Sequence, residues 1–380
     1  MKTGRVVVIT GMHRSGTSLV TGLLQQAGVD IGRELLPANR GNPYGYLEDT
    51  EFLDFQEQLL RARGLDMFVT APVDFAPTAA EIERAKSLIS ARANRPIWGW
   101  KDPRTSLFLE FWDQLLPEAS YIFLYRHPLE VVLSLMRRGD FSQNGRIELG
   151  LQSWCVYNES IIRFVEKKRD NCLLAHIYGV AGQPESFITR LRHQFQLHLP
   201  QQSAELTGHY RSENLNRVQI TARAEHILRH IYPIAVNLYH QLENLADVPA
   251  PSFGDNAAPV PELSGLAEVV AGLKMPVEAE PQPGLLLLLA TALAPDTVQQ
   301  FYTDLSRSLR AITAERDQLY DNGPITAYET ILNSQDLLTR RWISLTLTNL
   351  KHLFFKPRQI LFKLKRWYRF RIKGERVTLD

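Results

Sequence analysis

Arg5-Val-Val-Val-Ile-Thr-Gly-Met-His-Arg-Ser-Gly-Thr-Ser-Leu-Val20 decides the fold class of this 380-residue chain. Residues 6–9 are all β-branched with no polar residue among them, which suits a central parallel strand covered on both faces. Gly11 and Gly16 bracket a loop in which glycine reaches backbone conformations closed to other residues. Leu19, Val20, Leu23, Leu24 and Ala27 then recur at helical spacing, and Gly28 ends the run. A strand that feeds such a loop into a helix N-terminus points free backbone N–H groups at one spot, and that spot suits phosphate.

Outward from this stretch the strand–helix order repeats. Residues 37–46 are dense in turn formers and read as a loop. A helix is expected over 48–63 with Phe52, Phe55, Leu59 and Leu60 on one face, and another over 78–94. Ile97-Trp-Gly-Trp100 reads as a strand delivering Lys101-Asp-Pro-Arg104 at its end, and a helix over 107–116 stops at Pro117. Tyr121-Ile-Phe-Leu-Tyr125 is a second core strand ending at Arg126-His-Pro128, with Pro128 placed to start a helix. Helices are expected over 146–169 and 184–195, a strand over 172–177, and one long helix over 218–245 with Ile227, Leu228, Ile231, Ile234 and Leu238 inward. This order predicts an α/β, P-loop-like three-layer domain with a central parallel sheet over residues 1–247. A linker rich in Pro, Gly and Ala (248–284) and a helical C-terminal extension follow: a helical segment over 285–335, then a basic amphipathic tail over 336–380.

Composition is that of an ordinary water-soluble protein, 44% hydrophobic and 22% charged. The formal charge of +2 is unevenly spread, because residues 338–380 hold twelve Lys/Arg against Glu375 and Asp380, a net +10 that leaves −8 for the rest. Cys155 and Cys172 are the only cysteines, so neither a disulfide framework nor metal-ligand spacing is present, and no metal is expected. The apolar run after Lys2 is too short for a secretory signal, and residues 285–294 fall well short of the ~20 apolar residues that span a bilayer. A cytoplasmic location is expected.

Gly11 and Gly16 have the spacing of the nucleoside-triphosphate P-loop, and Ser18 stands where its metal-binding hydroxyl would be. Thr17, however, occupies the lysine position that a phosphoryl-transfer enzyme needs. The cation has moved to Arg14, inside the loop, and no clean metal-binding carboxylate follows a later core strand. Arg126, at a strand tip, and Ser134, eight residues on, offer a second anion site; the same pair also suits an unrelated surface Arg and helix Ser.

Gly11-Met-His-Arg-Ser-Gly-Thr-Ser18, Lys101-Asp-Pro-Arg104 and Arg126-His-Pro-x5-Ser134 together resemble the signature of sulfotransferases that use 3′-phosphoadenosine 5′-phosphosulfate (PAPS). Arg-Ser-Gly-Thr and Lys-Asp-Pro are closest to the bacterial and Golgi-type branch, which includes the tyrosylprotein sulfotransferases. The resemblance covers about residues 5–245. It implies that Arg14 binds the 5′-phosphosulfate and steadies charge on the transferring group, while Ser15, Gly16, Thr17 and Ser18 cradle the 5′-phosphate. It implies further that Arg126 and Ser134 take the 3′-phosphate and that Lys101 helps the leaving phosphate depart, giving adenosine 3′,5′-bisphosphate (PAP). In-line sulfuryl transfer needs positioning and fixed positive charge at the leaving group more than covalent catalysis.

A base must take the acceptor's proton. Glu48, in Tyr44-Gly-Tyr-Leu-Glu-Asp49, sits where related enzymes carry a catalytic glutamate, although the local wording departs from the tyrosylprotein pattern. Asp49, Asp102 and His13 are rivals, and Glu48 also suits a helix N-terminal carboxylate. Tyr44, Tyr46, Trp98 and Trp100 suit either stacking faces for a sugar or a core, Trp154, Tyr157 and Asn158 suit structure, and Arg211 and Arg217 are candidates to close over a nucleotide.

The expected activity is sulfuryl transfer to a hydroxyl of a saccharide or polysaccharide precursor. A small-molecule P-loop kinase is opposed by Thr17 and by the Arg126/Ser134 pair; a non-catalytic nucleotide-binding scaffold is opposed by Arg14, Lys101 and Glu48 together. In the tail, Ile360, Leu361, Leu364, Trp367, Tyr368 and Ile372 are set among seven Lys/Arg over 358–373, a pattern suited to an anionic membrane surface and equally to docking on the acidic body. Peripheral attachment at the inner membrane face is expected, with no nucleic-acid partner. The stripe over 297–321 suits self-association.

Overall fold

The computed structural model describes residues 4–37, 45–138, 147–199 and 232–251, with 215, 220, 224–225 and 228–229 besides. Two compact units divide the chain. The first comprises Met1–Ser134, Glu148–Arg217 and Asn237–Gly254, and the second Leu135–Ile147, Val218–Val236 and Asp255–Asp380. The first unit carries the sheet. Four strands, β1 (Arg5–Thr10), β2 (Ile97–Lys101), β3 (Ser120–Tyr125) and β4 (Cys172–His176), pair in parallel in the order β2-β1-β3-β4. The run Val6–Ile9 is buried as its composition requires.

Alternation along the strands sorts the core onto two faces. Val7, Ile9, Ile122, Leu124, Leu173 and Ala175 pack with Leu19, Val20, Leu23 and Leu24 of α1 (Thr17–Gln26) and with Phe187 and Leu191 of the helix Pro184–Phe195. The opposite strand positions are aromatic. Trp100 stacks on Phe52 of α2 (Thr50–Arg61) at 4.3 Å between ring centroids and meets Trp112 of the helix Leu109–Leu115 at 4.8 Å. Tyr121 meets Phe164 of the helix Ile147–Lys167 at 4.8 Å. Each such side chain contributes about 1.5–3 kcal/mol on burial, so this face is as firmly held as the aliphatic one.

The remaining elements follow the sequence closely. α3 (Ala79–Ser90) opens with a capping box between Thr78 and Glu81. α4 (Leu109–Leu115) follows a 3-10 turn over Pro103–Leu107. α5 (Pro128–Arg138), α6 (Ile147–Lys167), a short α7 (Ile177–Gly182) directly after β4, and α8 (Pro184–Phe195) complete the run. One expectation is corrected. The helix expected over 218–245 is not continuous, because Tyr232 is not helical and α9 (Pro233–Leu245) begins at proline. A residue before proline is driven out of the helical region; Ile234, expected inward, is 59% exposed. Val248, the first residue of the expected linker, pairs with β4, its carbonyl accepting the His176 N–H at 2.7 Å. The expected segments 285–335 and 336–380, including 297–321, lie outside the described residues.

The strand order sets the site. From β1 the chain proceeds to β2 on one side, and from β3 to β4 on the other. Adjacent parallel strands whose connections diverge leave a crevice at their carboxyl ends, where ligands bind in open α/β sheets.

Candidate functional site

The loop after β1 fills that crevice. A Cβ on Gly11 would come within 2.1 Å of the Leu124 carbonyl oxygen, so only glycine lets the loop lie against the end of β3. Ser15 N–H closes the turn onto the Met12 carbonyl at 3.1 Å. Gly16, at φ +87°, caps α1 with no side-chain hydrogen bond, and no acidic residue occupies the helix's first turn. The first N–H groups of α1 thus meet no side-chain acceptor at the cap, which is the condition for an anion site. Arg14 sits at φ +69°. A non-glycine residue there carries about 1–2 kcal/mol of backbone strain.

The strained backbone aims Arg14 across the crevice, where its Nε–H donates to the Ser134 hydroxyl at 2.8 Å. Ser134 is therefore joined to the loop arginine, whereas the sequence paired it with Arg126. Arg126, buried at the end of β3, donates through Nη2 to Glu130 Oε1 at 3.2 Å and to the Tyr178 hydroxyl at 2.7 Å. The Tyr178 hydroxyl in turn donates to Glu130. Burial works against the Arg126 charge, yet the Glu130 carboxylate and Tyr178 hold the guanidinium above its ordinary value. Trp154 Nε1–H donates to the Arg126 carbonyl at 3.1 Å and fixes the strand end from α6.

A second charged group forms beside the start of α1. Lys101 Nζ donates to Glu48 Oε1 at 2.7 Å and to the Ser18 hydroxyl at 3.3 Å. The Ser18 hydroxyl donates to the Tyr46 carbonyl at 3.1 Å. Glu48 is not the helix cap: α2 is capped by Asp49, whose carboxylate accepts the N–H groups of Glu51 and Phe52 and pairs with buried Arg92 at 2.6 Å. These bonds give Asp49 a structural role at the start of α2.

Asp102 is 1% exposed. Its Oδ1 accepts the Arg104 N–H at 2.8 Å and Arg104 Nη1 at 3.1 Å, while Oδ2 has no hydrogen-bond partner. Burial pushes this carboxyl up to about 6; Arg104 and Lys101 oppose the shift and Glu48 adds to it. Arg104 also reaches Glu57 Oε1 at 2.9 Å. Thr10 Oγ1 donates to the Asp102 carbonyl at 2.8 Å and ties the ends of β1 and β2 together. His13 packs edge-on against Tyr157, with ring centroids 6.0 Å apart.

The structure thus brings Arg14 and Ser134 together, and separately Lys101, Glu48 and Ser18. Arg126 stands with Glu130 and Tyr178, which the sequence did not single out. Glu130, at i+4 from Arg126, carried a readable signal; Tyr178 lay beyond the fourth strand, β4, and carried none. Trp98 and Trp100 are core residues and offer no face for a sugar. Tyr46 is half-buried. Tyr44, Arg211 and Arg217 lie outside the described residues.

A model of the sulfotransferase family matches residues 6–201. Among solved structures, the chain is similar to the sulfotransferase domain from the curacin biosynthetic pathway, at 17% identity over 55% of this chain and 78% of that one, with a TM-score of 0.36. It is also similar to the sulfotransferase STF9 from Mycobacterium avium, at 16% identity over 67% and 79% of the two chains, with a TM-score of 0.40. A third likeness is the sulfotransferase domain from the Synechococcus PCC 7002 olefin synthase, at 17% identity over 77% and 95%, with a TM-score of 0.35. No curated protein matches the chain.

Proposed function

The chain belongs to the sulfotransferase family, and on that premise we propose that it moves a sulfuryl group from PAPS to a hydroxyl of a saccharide or polysaccharide precursor. The observation that carries this reading is the Arg14–Ser134 contact at 2.8 Å, which joins the loop cation to the helix after β3 across the crevice. The residues fit a donor with phosphate at two positions. Arg14 and the uncapped start of α1, with Ser15, Gly16, Thr17 and Ser18, are suited to a 5′-phosphosulfate. Arg126 and Ser134 flank the place for a 3′-phosphate, which ATP lacks.

In this reading Glu48 takes the proton of the acceptor hydroxyl. Lys101, held between Glu48 and Ser18, offers its charge to the bridging oxygen as the bond from sulfur to that oxygen breaks. The new bond joins sulfur to the acceptor oxygen, and the electron pair leaves with the 5′-phosphate of PAP. Arg14 holds the charge of the group in flight.

The test is incubation with radiolabelled PAPS and no Mg²⁺ against a panel of hydroxylated acceptors, saccharides first. Transfer that Arg14→Ala abolishes supports the reading. Transfer that requires ATP and Mg²⁺ sinks it, and tight PAP binding without transfer to any acceptor makes the chain a nucleotide-binding scaffold.

A further inference from the structure

Asp49 carries more bonds than a helix cap needs. Its Oδ1 takes the N–H groups of Glu51 and Phe52, and those two bonds complete the capping task. Arg92, buried just past the end of α3, is added to them. Its Nη2 lies 2.8 and 2.6 Å from the two Asp49 oxygens and 2.8 Å from Glu51 Oε2. Its Nη1 donates to the Leu88 carbonyl at 3.1 Å, and the guanidinium lies over the Phe52 ring at 4.9 Å. The Arg33 N–H donates to Asp49 Oδ2 at 3.2 Å, and a Cβ on Gly32 would come within 2.4 Å of the same oxygen. A buried ion pair adds little net stability over well-packed apolar residues of similar volume. What this one adds is geometry.

The geometry is that of the preceding residue, Glu48. The Glu48 carbonyl accepts the Leu36 N–H at 2.8 Å and the Thr50 N–H donates to the Glu34 carbonyl at 2.9 Å, so the chain on both sides of Asp49 is paired with 34–36. Arg33 Nη2 donates to the Ala91 carbonyl at 2.7 Å and ties that partner segment to the same end of α3. Leu47, before Glu48, stands at φ +54°, a left-handed conformation that leucine keeps only where its surroundings over-determine it. We propose that Arg92 is a positioning residue for the transfer: through Asp49 it fixes the backbone at Glu48, so that the carboxylate meets Lys101 and the acceptor hydroxyl without rearrangement. A reacting group misplaced by ~1 Å loses as much as about 10²-fold in rate. This rests on the reading of Glu48 as the base.

Two measurements decide it. The first makes Glu48→Gln in the wild type and in Arg92→Met and compares the loss of stability in urea. The loss should be smaller in Arg92→Met, where the carboxylate no longer meets Lys101 in register. Equal losses in the two backgrounds overturn the inference, whatever the acceptor is. The second uses PAPS and the acceptor found in the panel above. Arg92→Met should lower kcat about 10–100-fold, with KM for PAPS and calorimetric PAP binding held within about twofold. Arg92→Lys should recover part of the kcat. A wild-type kcat in folded Arg92→Met overturns the inference, and so does a loss of PAP binding as large as the loss of kcat, which would mark a general loosening. Either result leaves the base reading standing if Glu48→Gln is inactive. Wild-type turnover by Glu48→Gln overturns the base reading and the inference with it. Should Arg92→Met fail to fold, Asp49→Asn takes its place in both measurements: asparagine keeps an oxygen for the Glu51 and Phe52 N–H groups and gives up the charge that holds Arg92.

Discussion

Lys101 Nζ stands 2.7 Å from Glu48 Oε1, with 1% of the lysine side chain and 7% of the carboxylate exposed. The pair joins the end of β2 to the residue before the cap of α2, fifty-three positions apart. Removing one member of a buried pair strands the other, at a cost of about 3–5 kcal/mol. Lys101→Met should therefore lower the unfolding free energy by about that amount in urea titrations. Glu48→Gln/Lys101→Met should recover part of the loss. Strictly additive losses would show that the two do not act as a pair.

Arg14 invites the opposite experiment. Its φ of +69° is a conformation glycine adopts freely. Arg14→Gly should relieve about 1 kcal/mol of strain while lowering kcat/KM by about 10²–10³. A variant both more heat-resistant and inactive would mark strain held for function, and a variant that unfolds early would contradict it. Gly16→Ala should do the reverse of relieving strain, since its Cβ would lie 2.4 Å from Ile177 Cγ1.

Much of this was legible in the sequence because it is local. The β-branched run at Val6–Ile9, the two glycines and the helical spacing after them state their structure within twenty residues. Lys101-Asp-Pro-Arg104 likewise announces a strand end by the aromatic run before it. Pairings over long separations were not legible. Ser134 meets Arg14 across 120 positions, and nothing in either neighbourhood announces that contact. The cap of α2 shows a different limit: Glu48 and Asp49 are adjacent acids, either able to cap, and only packing against Arg92 and Lys101 separates their roles. The break at Pro233 was legible and was overridden by the helical spacing of the apolar residues around it.

The Arg126, Glu130 and Tyr178 cluster predicts how a 3′-phosphate is told from its absence. Arg126→Ala alone would take the Arg126 cation from beside the buried Glu130 carboxylate, so the informative variant is Arg126→Met/Glu130→Gln, which removes both charges together. It should weaken adenosine 3′,5′-bisphosphate binding by about 10–100-fold and leave adenosine 5′-phosphate binding unchanged in calorimetry. Equal losses for the two nucleotides would place the 3′-phosphate elsewhere.

Asp102 predicts a pH dependence of stability whose sign is opposite to that of most acidic groups. Its carboxyl is pushed up to about 6 from 3.8, mainly by burial, so the folded state binds this proton more tightly than the unfolded chain does. The stabilising contribution is complete below pH 3.8 and is lost as the pH rises through 6. At pH 7 the ionised group is a liability of at most about 3 kcal/mol. Asp102→Asn, which keeps the oxygen for the Arg104 N–H, should therefore be more stable than the wild type in thermal melts at pH 7. It should be indistinguishable from the wild type near pH 3.5. Equal melting at both pH values would mean that Asp102 carries no such cost.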